Sequence, residues 1–460
     1  MDWGALIDAS AFAVRELALF AAAGFLILGA SDLLVDILWI ALRLRRLARR
    51  DAPISLATLP PPERPGRLAV FIPAWQEAAV IGQMLRHSCT AWASDDLRLY
   101  VGSYPNDPET AAAVEAVSDH RIRLVTGPRP GPTTKADCLN TIWRAMLADE
   151  TAEGTSFKAI LLHDAEDVVH SAEPRLFDRM IERFDLVQLP VMPLIDVKRR
   201  GVSATYLDEF AESHGKEMVV RQALGAGLPS AGVGCAISRE AMALLAGADP
   251  DRNPFATGSI TEDYEIGLKL HALGCRSAFV RLPAAAGGAA IVTRGHFPSD
   301  WREAVAQKSR WMAGIALAGW DRLGWSGGAA ERWMRLRDRQ GPLAALLLCA
   351  AYAAMLAGPL VASAAQVVGR PVELLTPTLA AMMQVAMLLL AWRLVMRFGF
   401  VAAGHGWREG LRAVPRVVTS NAIAMLSARE ALGRYARARR TGEAVWGKTS
   451  HVFPAQVPAE

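Results

Sequence analysis

The sequence predicts an α/β domain with a mostly parallel sheet, joined to transmembrane and interfacial α-helices. Between residues 67 and 300, short apolar runs alternate with helical stretches, which is typical of a parallel sheet covered by helices. Of the 460 residues, 52% are hydrophobic, and the mean hydropathy is +0.19. These values are high for a soluble protein, so membrane segments are expected.

Composition also limits the partners and the compartment. The net charge is only +4, and no long basic tract is interleaved with aromatic residues, so we expect no nucleic-acid partner. The five cysteines form no CxxC pair and have no neighbouring histidine cluster. We therefore predict reduced thiols, as in a cytosolic domain.

The N-terminal region, residues 1–50, is predicted to hold one transmembrane helix and its basic flank. Residues 17–42 are nearly continuous apolar sequence, long enough to span a bilayer, and an arginine cluster follows them. Because positive flanks stay in the cytosol, the N-terminus should face outside. No basic region precedes the run, so a cleaved signal peptide is not expected. Asp32 and Asp36 should face other helices or a polar cavity, and both an interhelical hydrogen bond and a functional role stay open.

Residues 51–66 are rich in proline and predict a spacer rather than a helix or a strand. A cytoplasmic domain is expected over residues 67–300. Its predicted strands cover residues 68–72, 98–102, 122–126, 160–162 and 186–191. Its predicted helices include residues 77–91 and 209–223.

The last third of the chain predicts more membrane structure. Residues 301–341 mix aromatic residues, alanines and arginines, which favours helices in the membrane interface. Residues 342–399 hold two more predicted spans, 343–366 and 374–398, and their short connection makes them antiparallel. Arg393, Arg397 and the arginine-rich tail put the C-terminus in the cytosol. Within residues 400–460, the amphipathic stretch 407–440 predicts another interfacial helix rather than a fourth span.

Two acidic residues, Asp164 and Glu166, directly follow the apolar run 160–162. The carboxyl end of such a strand is the usual ligand crevice of an α/β domain. Alternate residues leaving a strand can turn two carboxylates toward one ion, and hard oxygen ligands suit Mg²⁺ or Mn²⁺ rather than zinc. On the pair alone, a capped helix start with solvated acids is the commoner alternative.

Three further patterns add to this pair. Residues 230–235 form a loop of small residues, where backbone can approach a ligand closely or a tight turn needs glycine dihedrals. Residues 261–263 combine a capping-type threonine with acids at a helix start, which capping alone would explain. Gln307, Arg310 and Trp311 share one side of a helix, and an ordinary core stripe would not carry Arg and Gln.

In order and spacing, these motifs resemble those of the family 2 membrane glycosyltransferases, the group that includes cellulose and hyaluronan synthases. The resemblance covers roughly residues 65–315. It rests on the segments 71–77, 106–107, 135–140, 164–166, 261–263 and 307–311, which match the D, DxD, TED and QxxRW series of that family. More narrowly, segments 131–140, 163–170 and 446–454 resemble the phage-adsorption protein B branch, over nearly the whole chain. The DxD position here holds Asp164, Ala165 and Glu166, which still offers two carboxylates.

The resemblance implies a GT-A-type nucleotide-sugar-binding domain and gives roles to individual residues. Asp263 would take the acceptor proton, with Glu262 beside it, and Asp164 and Glu166 would hold Mg²⁺ or Mn²⁺. The donor side would be lined by Pro73, Trp75, Glu77, Asn106, Asp107, Lys135 and Asp164. The acceptor side would be formed by Gly232, Gly234, Gln307, Arg310 and Trp311.

The expected function is inverting, metal-dependent transfer of a sugar at the bacterial inner membrane. The donor would be a nucleotide sugar, expected to be a UDP-sugar, and the acceptor a growing exopolysaccharide that is exported. Membrane lipids and a periplasmic or outer-membrane export protein would be further partners. The alternatives are a single transfer onto a lipid-linked acceptor and a non-catalytic membrane scaffold that serves phage adsorption. The sequence ends soon after Phe453 without the regulatory extension of longer relatives, which puts control by a nucleotide second messenger in doubt.

Overall fold

The computed structural model describes residues 3–49, 54–441, 451–454 and 456–457. The strands, in chain order, are β1 (Leu68–Pro73), β2 (Leu97–Ser103), β3 (Ile122–Thr126), β4 (Ala159–Leu162), β5 (Leu186–Gln188), β6 (Val191–Leu194), β7 (Cys235–Ser238), β8 (Ser277–Phe279) and β9 (Thr293–His296).

The helices, in chain order, are α1 (Trp3–Arg49), α2 (Ile81–Ala91), α3 (Pro108–Glu115), α4 (Lys135–Glu153), α5 (Glu173–Met180), α6 (Arg200–Glu212), α7 (Met218–Ala223), α8 (Arg239–Gly247), α9 (Glu262–Ala272), α10 (Trp301–Met312), α11 (Gly319–Leu323), α12 (Ala329–Arg339), α13 (Gly341–Val367), α14 (Pro377–His405) and α15 (Trp407–Thr441). Two π-helical turns join α6 to α7 and α10 to α11.

The main sheet has the strand order β3-β2-β1-β4-β7-β5-β8, and only β7 runs antiparallel to its neighbours, so the predicted mostly parallel sheet is confirmed. Along β1 the side chains alternate between two cores. Val70 and Ile72 pack with α2 and α5 on one face, and Ala69 and Phe71 pack with α4, α8 and α9 on the other. Because both faces of the sheet are covered, the sequence of β1 is an unbroken apolar run.

Three predicted elements differ in the structure. The run 186–191 is not one strand: β5 ends at Gln188, and β6 begins at Val191 and pairs with β9 in a separate two-stranded sheet. Pro190 lies between them and has no N–H for a continuous ladder. The helix expected from residue 77 begins only at Ile81, and the helix expected from residue 209 already begins at Arg200. β7 was not predicted, because only four buried residues signal it.

The proline-rich segment is docked onto the domain and does not behave as a free spacer, which corrects the prediction for the part that is described. Leu56 begins a short 3₁₀ turn, is 6% exposed and packs into the core on the α2 side. Its backbone N–H donates to Pro283 O, 2.9 Å away, and Ala57 N donates to Ala284 O at 3.1 Å. Proline blocks regular structure within a segment but does not stop the segment from packing on its neighbours.

Three helices among the described residues, α1, α13 and α14, are long and apolar enough to cross a membrane, as predicted. The acids within α1 face other helices, which confirms that expectation. Asp36 lies 2.6 Å from the Lys216 ammonium and accepts a hydrogen bond from the Trp392 indole at 2.8 Å. Asp32 pairs with Arg337 at 2.9 Å and with Arg393 at 2.7 Å. These contacts tie α1 to α12, α14 and the π turn after α6.

The long helix α15 packs on the domain as well as on the apolar helices. Arg416, on its inner face, forms a two-pronged ion pair with Asp208 of α6, with N–O distances of 2.6 and 2.7 Å. Ser427 and Ile423 contact α10, so α15 supports the helix that carries Gln307, Arg310 and Trp311.

Replacing Asp36 by Ala should destabilise the protein strongly, because it leaves the Lys216 ammonium, 5% exposed, without its nearest counter-charge. We expect the free energy of unfolding to fall by about 3–5 kcal/mol. The fall would be measured from the unfolding curve of the purified protein in detergent. The matched control is Asp8→Ala in the same helix, whose pair with Arg370 is half exposed and should contribute under about 1 kcal/mol. Equal effects of the two variants would contradict this assignment.

Candidate active site

The candidate site is a cleft at the carboxyl edge of the main sheet. β1 and β4 are parallel neighbours, with Phe71 paired to Leu162, so the residues that follow both strands emerge side by side. The cleft brings together a large part of the predicted site: Pro73, Glu77, Lys135, Asp164, Glu166, Glu262, Asp263, Gln307, Arg310 and Trp311. These residues come from loops and helices far apart in the chain.

Lys135 begins α4 and places a cation among the acids. Its Nζ lies 2.5 Å from Asp164 Oδ1, and the side chain is largely buried. Burial lowers the pKa of Lys135, but the charges of Asp164, Glu262 and Asp263 outweigh it, so the pKa stands above its ordinary value. Lys135 therefore stays protonated and offsets the negative charge of the cleft.

Glu166 and Asp167 both line the cleft, but Asp167 is also held by structural contacts. Asp167 Oδ2 accepts the backbone N–H of Asp164 at 3.0 Å and lies 3.0 Å from His163 Nδ1. The other ring nitrogen of His163 is 3.1 Å from Glu173. Burial lowers the pKa of His163, but its two carboxylate neighbours raise it to about 10, so the imidazolium fixes the Asp167 side chain.

The acidic groups fit a divalent cation by their chemistry. Glu166 Oε2 is buried and has no hydrogen-bond partner among the described residues, and burial raises the pKa of this carboxyl to about 8. Asp164 and Glu77 line the same cleft. A buried carboxylate oxygen without a donor is stabilised by a cation, and carboxylate oxygens are the ligands that Mg²⁺ and Mn²⁺ prefer.

Asp263 and Glu262 lie in the first turn of α9. Burial raises the pKa of Asp263, with the Lys135 charge opposing that rise, and burial together with Asp263 raises the pKa of Glu262 to about 7. Thr261 occupies the cap position, but its side chain does not cap α9, contrary to the capping interpretation. Instead, it packs against Gly314, where a Cβ would come within 2.5 Å of it.

The loop of small residues, 230–234, has the glycine dihedrals that were one of the two alternatives open for it. Gly232 and Gly234 have positive φ angles of 75° and 56°, which L-residues rarely adopt. A Cβ on Gly232 would lie 2.6 Å from Asp263 Oδ2, and one on Gly234 would lie 2.2 Å from Thr293 Oγ1. Gly232 therefore lets the backbone pass directly against the Asp263 carboxylate, while Gly234 serves the packing of the neighbouring strand.

The opposite side of the cleft is aromatic. Trp311 of α10 lies beside three other rings, with centroid distances of 5.9 Å to Tyr206, 6.4 Å to Phe210 and 6.2 Å to Phe297. Gln307 and Arg310, from the same face of α10, line the cleft next to them. Apolar ring faces with adjacent hydrogen-bonding groups are suited to a sugar, which also has an apolar face and a polar rim.

Three of the residues expected to bind the nucleotide do not line this cleft. Trp75 is buried, with its ring edge-on to Tyr104 at a centroid distance of 5.1 Å. Asn106 exchanges two hydrogen bonds with the backbone of Gly131, at 2.7 and 2.8 Å. Asp107 accepts the N–H of Gln76 at 2.5 Å and that of Thr110 at 3.4 Å, which caps α3. All three thus hold the loops that precede Glu77 and Lys135.

The structure adds one residue to the cleft to which no role was given from the sequence. His451 Nδ1 lies 2.9 Å from Glu77 Oε1 and 3.2 Å from Glu166 Oε2. The segment 446–454 contributed to the resemblance, but no signal in it pointed to the β4 acids. Its first five residues, 446–450, lie outside the described part of the chain.

A sheet of this order with acids at the edge of β1 and β4 defines a GT-A-type glycosyltransferase fold. The model of the family described as glycosyltransferase like family 2 matches residues 65–314, and the chain belongs to that family. A solved structure supports the fold: the mannosyltransferase PcManGT from Pyrobaculum calidifontis, in complex with GDP-Man and Mn²⁺, matches with a TM-score of 0.53. The two chains are 16% identical, and the match covers 91% of this chain and 99% of that one.

Two curated relatives share the branch that the sequence resembles. Bacteriophage adsorption protein B of Escherichia coli (strain K12) and bacteriophage N4 adsorption protein B of Escherichia coli O157:H7 are each 34% identical to this chain. Each alignment covers 99% of this chain and 64% of the relative, so the chain spans just under two thirds of the relatives' length.

Replacing Gly232 by Ala should lower sugar transfer sharply, on the order of 10²-fold, because the added Cβ displaces the Asp263 carboxylate. Gly225→Ala is the matched control: its φ is also positive, at 68°, but no atom lies within 4 Å of the added Cβ. Both variants should lower the melting temperature because of the positive φ, and only Gly232→Ala should lose turnover. Equal turnover would mean that Gly232 does not position Asp263.

Proposed function

We propose that the protein transfers a sugar with inversion from a nucleotide-sugar donor to a growing exopolysaccharide, which is then exported across the membrane. One observation supports this proposal best. The partly buried Asp263 carboxylate shares one cleft with the Lys135 cation, the Asp164 and Glu166 acids and the aromatic wall of Trp311. Such a cleft offers a base, a diphosphate-binding side and a sugar-binding side.

Asp263 is proposed as the base. Burial raises its pKa above the ordinary value of 3.8, which strengthens the carboxylate as a proton acceptor. It would take the proton of the acceptor hydroxyl as that oxygen attacks the anomeric carbon. Because the acceptor would approach from the side opposite to the departing diphosphate, the anomeric configuration would invert. Gly232, packed against Asp263, would hold the carboxylate in place.

The departing diphosphate gains negative charge, and cations of the chain can neutralise it. Lys135 and Arg310 line the cleft together, from α4 and α10. Asp164 and Glu166 would hold the divalent ion, with Glu77 beside them. When bound, such an ion supplies Lewis-acid stabilisation of a leaving diphosphate. Trp311 would stack on the acceptor sugar, and Gln307 would hydrogen-bond to it.

Elongation and export are proposed over a single transfer onto a lipid-linked acceptor. The cleft is tied to the three long apolar helices through α6, α10 and α15, so the product would form beside the bundle. The relatives are named for bacteriophage adsorption, and an exported polysaccharide is a molecule to which a phage can attach. A scaffold without catalysis would have no use for a base and a cation placed together in one cleft.

The decisive experiment incubates the purified protein with labelled UDP-glucose, UDP-galactose, UDP-N-acetylglucosamine and GDP-mannose, with and without EDTA. We expect a polymeric product from one UDP-sugar, and loss of that product with EDTA. Asp263→Asn should lower transfer by about 10²–10⁴-fold and leave nucleotide binding unchanged, whereas Asp251→Asn, an exposed acid outside the cleft, should have no effect. A single-sugar lipid product, or no transfer from any donor, would contradict the proposal.

We also propose that the protein is a multi-pass inner-membrane protein with the domain of residues 67–300 in the cytoplasm, and with residues 301–341 and α15 in the membrane interface. The arginines that flank α1 and α14 support this orientation. A tag at the N-terminus should be accessible from the periplasm. Tags at the exposed Pro61 and at the C-terminus should be accessible only from the cytosol. Periplasmic labelling of the C-terminus would indicate another span.

A further inference from the structure

A second groove, separate from the active-site cleft, lies between the start of α10 and the C-terminal half of α15. It has a volume of about 620 Å³, and none of the described residues lines both the groove and the cleft. Trp301, Arg302 and Val305 of α10 line the groove, whereas the QxxRW residues of the same helix line the cleft. At about 100° per residue, the two sets lie on opposite sides of the helix, so α10 separates the groove from the cleft.

The groove is strongly basic. Its residues from α15 recur at three- and four-residue spacing, as one face of a helix does, and they are Leu426, Arg429, Glu430, Gly433, Arg434 and Arg437. With Arg302 of α10, four arginines and one glutamate line the groove. Arg434 pairs with Glu430 at 2.7 Å, and both side chains are partly exposed. Because the arginines exceed the acid by three charges, the groove favours an anionic ligand.

Gly433 leaves open space in the middle of the groove. A glycine inside a helix is destabilising relative to alanine, so its presence needs a reason. The backbone does not require it, because its φ is not positive. Packing does not require it either, because a Cβ built there would meet no atom within 4 Å. The missing side chain instead leaves room for a ligand between the arginines.

The lining combines this charge with apolar surface. Trp301 is 36% exposed and Leu426 is 42% exposed, and Val305 lies in the same groove. A free phosphate ion would contact the arginines but would leave the apolar side chains in water. A phospholipid would use both parts of the lining. Its phosphodiester would accept hydrogen bonds from guanidinium groups, and the first carbons of its acyl chains would cover the apolar side chains.

The groove also lies beside the apolar helices. α15 packs against α13 and α14, and Asn421, five residues before Leu426, donates a hydrogen bond to the Tyr352 hydroxyl of α13 at 3.3 Å. In the proposed orientation, α15 lies in the interface on the cytoplasmic side. The anionic lipids of that leaflet attract arginine-rich amphipathic helices.

We propose that the groove between α10 and α15 binds the phosphodiester headgroup of an anionic phospholipid from the cytoplasmic leaflet. This inference goes beyond sugar transfer and rests only on the proposed membrane orientation. The lipid would bridge the two helices beside the contact in which Ser427 Oγ donates to Val305 O at 3.3 Å. It would thereby stabilise the position of α10, the helix that carries Gln307, Arg310 and Trp311.

The experiment titrates the full-length purified protein in detergent with dioleoylphosphatidylglycerol, without donor sugar, and counts bound lipids by native mass spectrometry. We expect one lipid to bind saturably. Dioleoylphosphatidylcholine and inorganic phosphate should each bind more weakly, on the order of 10-fold, because the first has no net charge and the second has no apolar part. The double variant Arg429→Gln, Arg437→Gln should weaken phosphatidylglycerol binding by about 10- to 30-fold.

The matched control is the double variant Arg439→Gln, Arg440→Gln, which removes the same charge from exposed positions of α15 outside the groove. It should weaken binding by less than about threefold, because exposed charges act through screened solvent. Gly433→Leu fills the groove and changes no charge. It should weaken binding on the order of 10-fold without lowering the melting temperature in the absence of lipid, because leucine favours the helix.

Two kinds of result would overturn the inference. One is binding of phosphatidylcholine or inorganic phosphate as tight as that of phosphatidylglycerol, or equal losses in the groove variant and its matched control. The other is a wild-type protein that retains no phosphatidylglycerol, as expected if an acidic protein occupied the groove. Failure of the proposed function is distinguishable, because no donor sugar would then be transferred while lipid binding would still depend on the groove arginines.

Discussion

The cleft depends on charge balance in a place from which water is largely excluded. Asp164, Glu166, Glu262 and Asp263 lie together, and burial, together with the neighbouring carboxylates, raises the pKa values of Glu166, Glu262 and Asp263. Lys135, at the start of α4, compensates part of that charge. The Lys135 charge opposes the rise in the pKa of Asp263 and so favours ionisation of the proposed base, and a divalent ion would add to this effect.

Buried ion pairs also connect the cleft with the apolar helices. One continuous helical path runs from Phe210, at the cleft, through the π turn to Lys216, whose ammonium pairs with Asp36 in α1. Glu212 on this path pairs with Arg397 of α14 at 2.5 Å. A buried ion pair is costly to break, so the domain and the bundle are held in one relative position at this junction.

Much of the architecture was predictable from local patterns. The strands at 68–72 and 98–102 and the long apolar runs carry strong signals, because buried strands and membrane-length helices need apolar sequence. The partly exposed edge strand at 122–126 was also predicted. Short elements were missed or misplaced where the signal is weak: four residues form β7, and Pro190 divides an apolar run into strands of two different sheets. The docking of Leu56 could not be read from a proline-rich segment, since its partners at residues 283 and 284 lie far along the chain.

The sequence by itself determined the family motifs, their order and the chemistry available to them, because residue types and spacing carry that information. The motifs predicted that Lys135, Asp164, Asp263 and Trp311 belong to one active site, and the structure places all four in one cleft. Only the tertiary structure decided which partners each acid that follows β4 contacts. The chain turns after β4 so that Glu166 points inward and Asp167 is held by His163, and His451 arrives from the far end of the chain. Such contacts depend on how distant segments pack, and no local pattern specifies that packing.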